Sequence, residues 1–356
     1  MKKLFVLTFT LALVGAACAP LSASDSARAN RWYHHHGHGQ LTPGQPTSST
    51  TQAAPVTQPT SSTTQPTTPT QPTATPTTPP PVTTVGDVPA PAAAGKQWKL
   101  TFGEDFAGTD YDHTKLTPCF DWNTGSCTGT FNQGREWYSA SQVQVNGGTA
   151  KLVATPGSSA GANNGVCLNG KCTYRSGLLS TARHNVNDPN YLYSFTYGYV
   201  EARLKLPPKT PGFFTAFWML PADKSFNYGS EIDIVEALGY DPTTMYMNYH
   251  GKPDRTTGYS PNNGTGNNGA CAVKDYSKSF STFGLDWQPD HIAWYIDGVK
   301  CGQYNGNAST IESGPMQIIL DLMVDHSWER SWGEGLQDPT LTRQLEVDYL
   351  RVYQQK

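Results

Sequence analysis

From residue 96 to Lys356 this chain carries many short runs in which apolar and polar residues alternate, with no sustained 3.6-residue helical period. Between 199 and 206, Val200, Ala202, Leu204 and Leu206 fall on one face of an extended strand, and Tyr199, Glu201, Arg203 and Lys205 fall on the other. Val143 and Val145, the turn Asn146-Gly147-Gly148, and then Ala150, Leu152 and Ala154 read as a hairpin. Two further apolar strands are predicted over 317–324 and 345–353. Many short strands, each with one apolar face, bury those faces by laying sheet on sheet. The fold class that follows is all-β, a sandwich.

The sandwich accounts for residues 96–356 only. Residues 40–95 are almost entirely Thr, Pro, Ser, Gln, Ala and Val, and the octet Gln-Pro-Thr-Ser-Ser-Thr-Thr-Gln occurs at 45–52 and again at 58–65. Such a stretch has too little apolar surface to offset chain entropy, so it reads as a disordered, proline-stiffened linker. Residues 1–18 have the layout of an export signal: Met1-Lys2-Lys3, an apolar run from Leu4 to Val14, then Gly15-Ala16-Ala17-Cys18. The apolar run is too short to span a bilayer. Small residues before Cys18 resemble a bacterial lipobox, with Gly15 where Leu or Val is usual, so lipidation of Cys18 is expected; the alternative is simple cleavage near Ala17 or Ala19. An exported bacterial protein, extracellular or lipid-anchored at the cell envelope, is the localisation this implies. Residues 19–39 contain His34-His35-His36-Gly37-His38, upstream of the linker, where casual metal affinity is a better reading than a catalytic metal.

Six of the seven cysteines lie in the sandwich segment, which fits paired thiols in an exported protein. Proximity favours Cys119 with Cys127 and Cys167 with Cys172, leaving Cys271 with Cys301, although six cysteines allow 15 connectivities. A net charge of −3 and a charged fraction of 15% exclude the basic character of a nucleic-acid binder. The nine Trp, 18 Tyr and 13 Phe are suited either to stacking on sugar rings or to filling a β core.

The chemistry concentrates at Glu231-Ile232-Asp233-Ile234-Val235-Glu236. On a regular strand Glu231 and Asp233 share a face and Glu236 points the other way. A β-bulge at Ile234 or Val235 would slip the register by one and return Glu236 to the carboxylate face. Three crowded acids then divide into one that holds its proton and one that stays ionised, which is what glycoside hydrolysis asks of its two carboxyl groups. A solvated edge strand is the bland alternative, but Gly229-Ser230 before the run and Ala237-Leu238-Gly239 after it bracket a half-buried strand.

This acid run, followed in order by the segments that surround it, resembles glycoside hydrolase family 16 in its bulged, laminarinase-like form. The other matching segments are Tyr197-Gly198-Tyr199-Val200-Glu201-Ala202-Arg203, Ala216-Phe217-Trp218-Met219-Leu220 and Val347-Asp348-Tyr349-Leu350-Arg351-Val352-Tyr353. The resemblance implies a β-jelly-roll of two antiparallel sheets with a concave substrate cleft. It implies a retaining endo-hydrolase of internal β-1,3 links in laminarin-like β-glucan, acting as a monomer with no catalytic cofactor. Mixed-linkage β-1,3-1,4-glucan or a galactan is the alternative substrate, and a non-catalytic carbohydrate-binding or envelope-remodelling protein the alternative class.

By matched position Glu231 corresponds to the nucleophile, Glu236 to the acid/base, and Asp233 to the residue between them. Asn248 and His250 share a strand face beside the cleft, and Arg135 and Trp137 lie in a segment bordering its non-reducing side. Trp218, Trp287 and Trp328 are sugar platforms or core residues. Phe214 and Phe226 stand where the family usually has tryptophan, Asp321 replaces a frequent asparagine, and Asp325-His326 replaces a Gly-Gly pair, so stacking area is reduced or relocated. A structural Ca²⁺ on the convex side would draw on Asp105, Asp348 and the Gly147 carbonyl.

Overall fold

The structure, a computed structural model, describes residues 92, 97–122, 133–158, 167–225, 228–252, 257–259 and 268–356. The export signal with Cys18, the histidine segment, the linker apart from residue 92, Cys127 and Phe226 lie outside the described residues.

Sixteen strands are described. In chain order they are β1 (Trp98–Glu104), β2 (Glu136–Tyr138), β3 (Val143–Asn146), β4 (Thr149–Pro156), β5 (Tyr174–Ser176), β6 (Leu178–Ser180), β7 (Gly198–Lys205) and β8 (Phe213–Pro221). They continue with β9 (Glu231–Ala237), β10 (Tyr246–Gly251), β11 (Thr257–Tyr259), β12 (Ser281–Trp287), β13 (His291–Ile296), β14 (Val299–Asn305), β15 (Met316–Val324) and β16 (Arg343–Gln355). One sheet runs β14-β13-β12-β7-β16-β4-β5-β2, with β1 also on β16 and β3 on β4; the other runs β11-β10-β9-β8-β15-β6. Neighbours far apart in sequence, such as β8 beside β15 and β7 beside β16, give the jelly-roll its non-local wiring. Among the described strands every pairing is antiparallel except that of the short β2 with β5, which is parallel, so the two antiparallel sheets are present as expected.

The sandwich core forms where the inner faces meet. Val200, Ala202, Leu204 and Leu206 are buried there with Phe213, Phe217, Met219, Ile232, Leu285, Ile318, Leu320, Val347 and Val352. The alternation in the sequence encodes this face directly, because strand neighbours alternate sides. The 143–154 hairpin is present, with Asn146 opposite Thr149 and both turn glycines at positive φ (Gly147 63°, Gly148 76°), the geometry of a two-residue turn.

The other face of β7 departs from expectation. Tyr199 and Glu201 are buried, and Tyr199 packs with Tyr295 and Tyr353 in a smaller outer cluster. Residues of β13 and β16 cover what a single alternating strand presents as a wet face. The short helix α1 (Ser327–Ser331), directly after β15, was likewise not expected. Disulfides join Cys167 to Cys172 and Cys271 to Cys301, as predicted, and Cys119 is also disulfide-bonded.

Candidate active site

Strand β9 carries all three acids, and its pairing on both sides shows how. On β8, Phe217 faces Val235 but the next residue, Trp218, faces Asp233; on β10, Tyr246 faces Glu236 and Asn248 faces Asp233. Ile234 is therefore the extra residue of a β-bulge. Ile234 and Val235 both bury in the sandwich core, where two consecutive β-branched side chains are accommodated only because the register slips between them. Trp294, reaching from β13 across the core, donates its Nε1–H to the carbonyl oxygen of Asp233 at 2.9 Å, which satisfies a backbone acceptor at the bulge.

Glu231, Asp233 and Glu236 thus line one face of the six-stranded sheet, the face turned away from the core. Glu231 and Asp233 are buried, and Glu236 keeps part of its surface open. Side chains of β10 reach diagonally to them. His250, opposite Glu231, places Nε2 3.2 Å from Oδ2 of Asp233; Asn248, opposite Asp233, donates from Nδ2 to Oε2 of Glu236 at 2.7 Å.

The electrostatics separate these groups. Burial, and then the charge of Asp233, push the Glu236 carboxyl well above the usual range; the Asn248 hydrogen bond opposes this and the charge of Asp321 adds to it. The direction of this shift favours the protonated form of Glu236. Burial disfavours the charged form of His250, but the hydrogen bond and charge of Asp233 outweigh it and raise the imidazole above its ordinary value.

Asp321 on β15 is a site residue for which the sequence offered only a substitution. It is fully buried, accepts from Tyr138 Oη at 2.7 Å and Trp218 Nε1 at 3.0 Å, and burial pushes its carboxyl up to about 7. In register it faces Ala216, which in turn faces Glu236, so both acids occupy the same face across a methyl side chain. A lone acid inside the apolar run 316–324 was the available signal.

Comparison with known proteins identifies the family of this fold. The family model described as glycosyl hydrolases family 16 matches residues 178–350. The beta-glucanase of Paenibacillus macerans is 31% identical over 179 residues, covering 46% of this chain and 68% of that protein. The chain belongs to glycosyl hydrolase family 16. It is a glycoside hydrolase. A beta-glucanase of Rhodothermus marinus is 26% identical over 275 residues, 72% of this chain and 85% of that protein. Among solved structures, the endo-beta-1,3-glucanase of Pyrococcus furiosus is similar with a TM-score of 0.55 at 27% identity, covering 74% of this chain and 96% of that one.

Within this family 16 fold, the other predicted residues divide clearly. Trp218 shares the acid face but is buried, its Nε1–H donating to Asp321, rather than open to a sugar. Phe214 is buried as well, packed against His326 and Trp328. Trp287 is a core residue whose Nε1 donates to the carbonyl of Glu312. Arg135 pairs with Asp325 at 2.5 Å, and Trp137 packs on the Cys167–Cys172 bridge, so both brace loops at the rim of the sheet. Trp328, half-buried, touches Phe214 on β8 and Tyr246 on β10, the two strands flanking β9, and so stands over the end that carries Glu236.

The calcium expectation draws on Asp105, Asp348 and Gly147. Asp348 is ion-paired with Arg203, Asp105 accepts the Ala107 backbone N–H at 3.3 Å, and Gly147 lies in the hairpin turn. Among the described residues, the one group of three side chains with metal-ligand spacing is Glu231, Asp233 and His250, whose donor atoms lie within 4.8 Å of one another. Its imidazole makes it unlike the all-oxygen shell that calcium takes.

Proposed function

We propose that the protein is a retaining endo-β-glucanase that cleaves internal β-1,3 links of laminarin-like glucan. Glu236 protonates the glycosidic oxygen as the bond to the anomeric carbon breaks, and the Glu231 carboxylate attacks that carbon from the opposite face to form a glycosyl ester. Glu236, now ionised, takes a proton from water, whose oxygen displaces Glu231 and restores both carboxyls. Asp233, in contact with His250, holds negative charge beside the pair and favours the proton on Glu236.

The observation that carries this reading is the Ile234 bulge, which brings to one face two glutamates that a regular strand would separate. The names of the relatives support a β-glucan substrate, and the Pyrococcus furiosus protein supports the β-1,3 link. The test is incubation of the folded segment with defined β-1,3-, β-1,3-1,4- and β-1,4-glucans and galactans, with the linkage of each product determined. Cleavage confined to mixed-linkage glucan or galactan would replace the substrate and leave the mechanism. No cleavage of any of them would remove the reading.

The export signal and Cys18 complete the proposal with a lipid-tethered enzyme at the cell envelope. A Cys18→Ser protein that stays in the membrane fraction would reject the tether, since stable anchoring depends on the acyl chains.

A further inference from the structure

Trp332 is 49% exposed, the one aromatic among the exposed large hydrophobic side chains of the described residues. It caps helix α1 and sits in a ring cluster with Trp328 (centroids 5.6 Å apart, planes at 80°), Tyr240 (6.1 Å, 66°) and Tyr246 (6.1 Å, 64°). All three neighbours meet it at steep angles and none stacks parallel on it. Tyr246 lies directly across the β9–β10 ladder from Glu236, so the cluster continues outward from the acid that faces the glycosidic bond.

The support beneath this cluster is stiff. Glu329, fully buried in the middle of α1, accepts the backbone N–H groups of Gly239 at 2.9 Å and Gly212 at 3.3 Å, which tie the helix to the end of β9 and the start of β8. Gly239 has no room for a side chain, because a Cβ there would fall 2.3 Å from the Thr210 carbonyl oxygen. Asp325, just before α1, accepts from Arg135 on one oxygen and from the Leu336 N–H on the other, and its carbonyl accepts from Arg330. A half-open indole on so braced a helix is preorganised for a ligand that presents a flat, weakly polar face. The axial C–H face of a pyranose is such a face.

We infer that Trp332, at the C-terminal end of α1, and Tyr240, in the turn that follows β9, form a sugar-stacking platform that extends the cleft beyond the acid face and docks a glucosyl unit remote from the scissile bond. The platform moves to α1 the stacking area withdrawn at Phe214, which is buried beneath Trp328. The inference rests on the β-glucanase reading and sets its chain-length preference.

The experiment compares wild type, Trp332→Ala and Trp332→Phe on a ladder of β-1,3-gluco-oligosaccharides from trimer to heptamer. Product distributions and melting temperatures are recorded alongside. For the longest oligomers Trp332→Ala should raise KM by roughly tenfold, the scale of one aromatic contact, with the ratio to wild type shrinking toward one for the shortest. Trp332→Phe should recover most of the loss. Calorimetry of the heptamer on Glu231→Gln protein, with and without Trp332→Ala, should show the same ratio in affinity. A KM unchanged at every length, or a loss equal at every length, would overturn the platform while leaving the glucanase reading intact. A wild type inactive on the whole ladder would remove both.

Discussion

Asp233 and Glu236 are three residues apart on one strand and still present their carboxyls to the same face, because Ile234 adds a residue that neither neighbouring strand matches. Deleting Ile234 should therefore leave the pairing intact on both sides: Asp233 stays opposite Trp218 and Asn248, and Glu236 stays opposite Ala216 and Tyr246. The shortened strand is regular, and its acids at alternate positions still share a face. We expect the variant to fold with a lower melting temperature, from the lost Ile234 burial, and to retain activity well above that of Glu236→Gln. Activity as low as that of Glu236→Gln in a folded deletion variant would show that the bulge itself aims the carboxyl.

The roles of the two glutamates are separable by azide. Glu231→Ala and Glu236→Ala should each lose at least about a thousandfold in kcat on polymer, while keeping their melting temperatures within a few degrees of wild type. With an activated aryl substrate, azide should yield the α-glycosyl azide from Glu231→Ala and the β-glycosyl azide from Glu236→Ala, because it replaces the nucleophile in one and water in the other. Chromatography and NMR of the products read the anomers, and reversed anomers would exchange the roles.

Asp321 offers a pH test. Its charge adds to the forces that raise the Glu236 carboxyl, and its own carboxyl lies at about 7. Replacement by asparagine removes the charge and keeps the shape, so Glu236 should lose its proton at lower pH. The alkaline limb of kcat/KM should move down by roughly half a pH unit or more. The other groups facing Glu236 are Asp233, Asn248 and Tyr246, all unchanged in the variant, which isolates the Asp321 charge. An alkaline limb in the same place would reduce Asp321 to a clamp on Tyr138 and Trp218.

The bridge from Cys271 to Cys301 spans 30 residues. In the chain-entropy model a loop of that length is worth about 3 to 4 kcal/mol, so Cys271→Ser/Cys301→Ser should melt roughly 10 °C lower. Breaking Cys167–Cys172, which spans 5 residues, should cost less. Equal melting of the two double variants in a thermal scan would contradict this ranking.

Strand alternation is a local property of the backbone, so it was legible in the amino-acid order: Val200, Ala202, Leu204 and Leu206 face the core as read, and the 143–154 hairpin turns where its glycines permit positive φ. The acid run was legible for the same reason, together with the need for a bulge to unite it. Which residue bulges was not, since Ile234 and Val235 are chemically alike; the pairing of β9 with β8 and β10 decided it.

Burial across the sheets was equally out of reach. Trp218 could be read as sugar platform or core and Phe214 as a reduced stacking surface; the hydrogen bond to Asp321 and the packing of Trp328 decided for burial, and Glu329 fastens to Gly212 and Gly239 the helix whose end carries the open Trp332. Each of these outcomes depends on contacts between residues about 90 to more than 100 positions apart, which a one-dimensional period does not record.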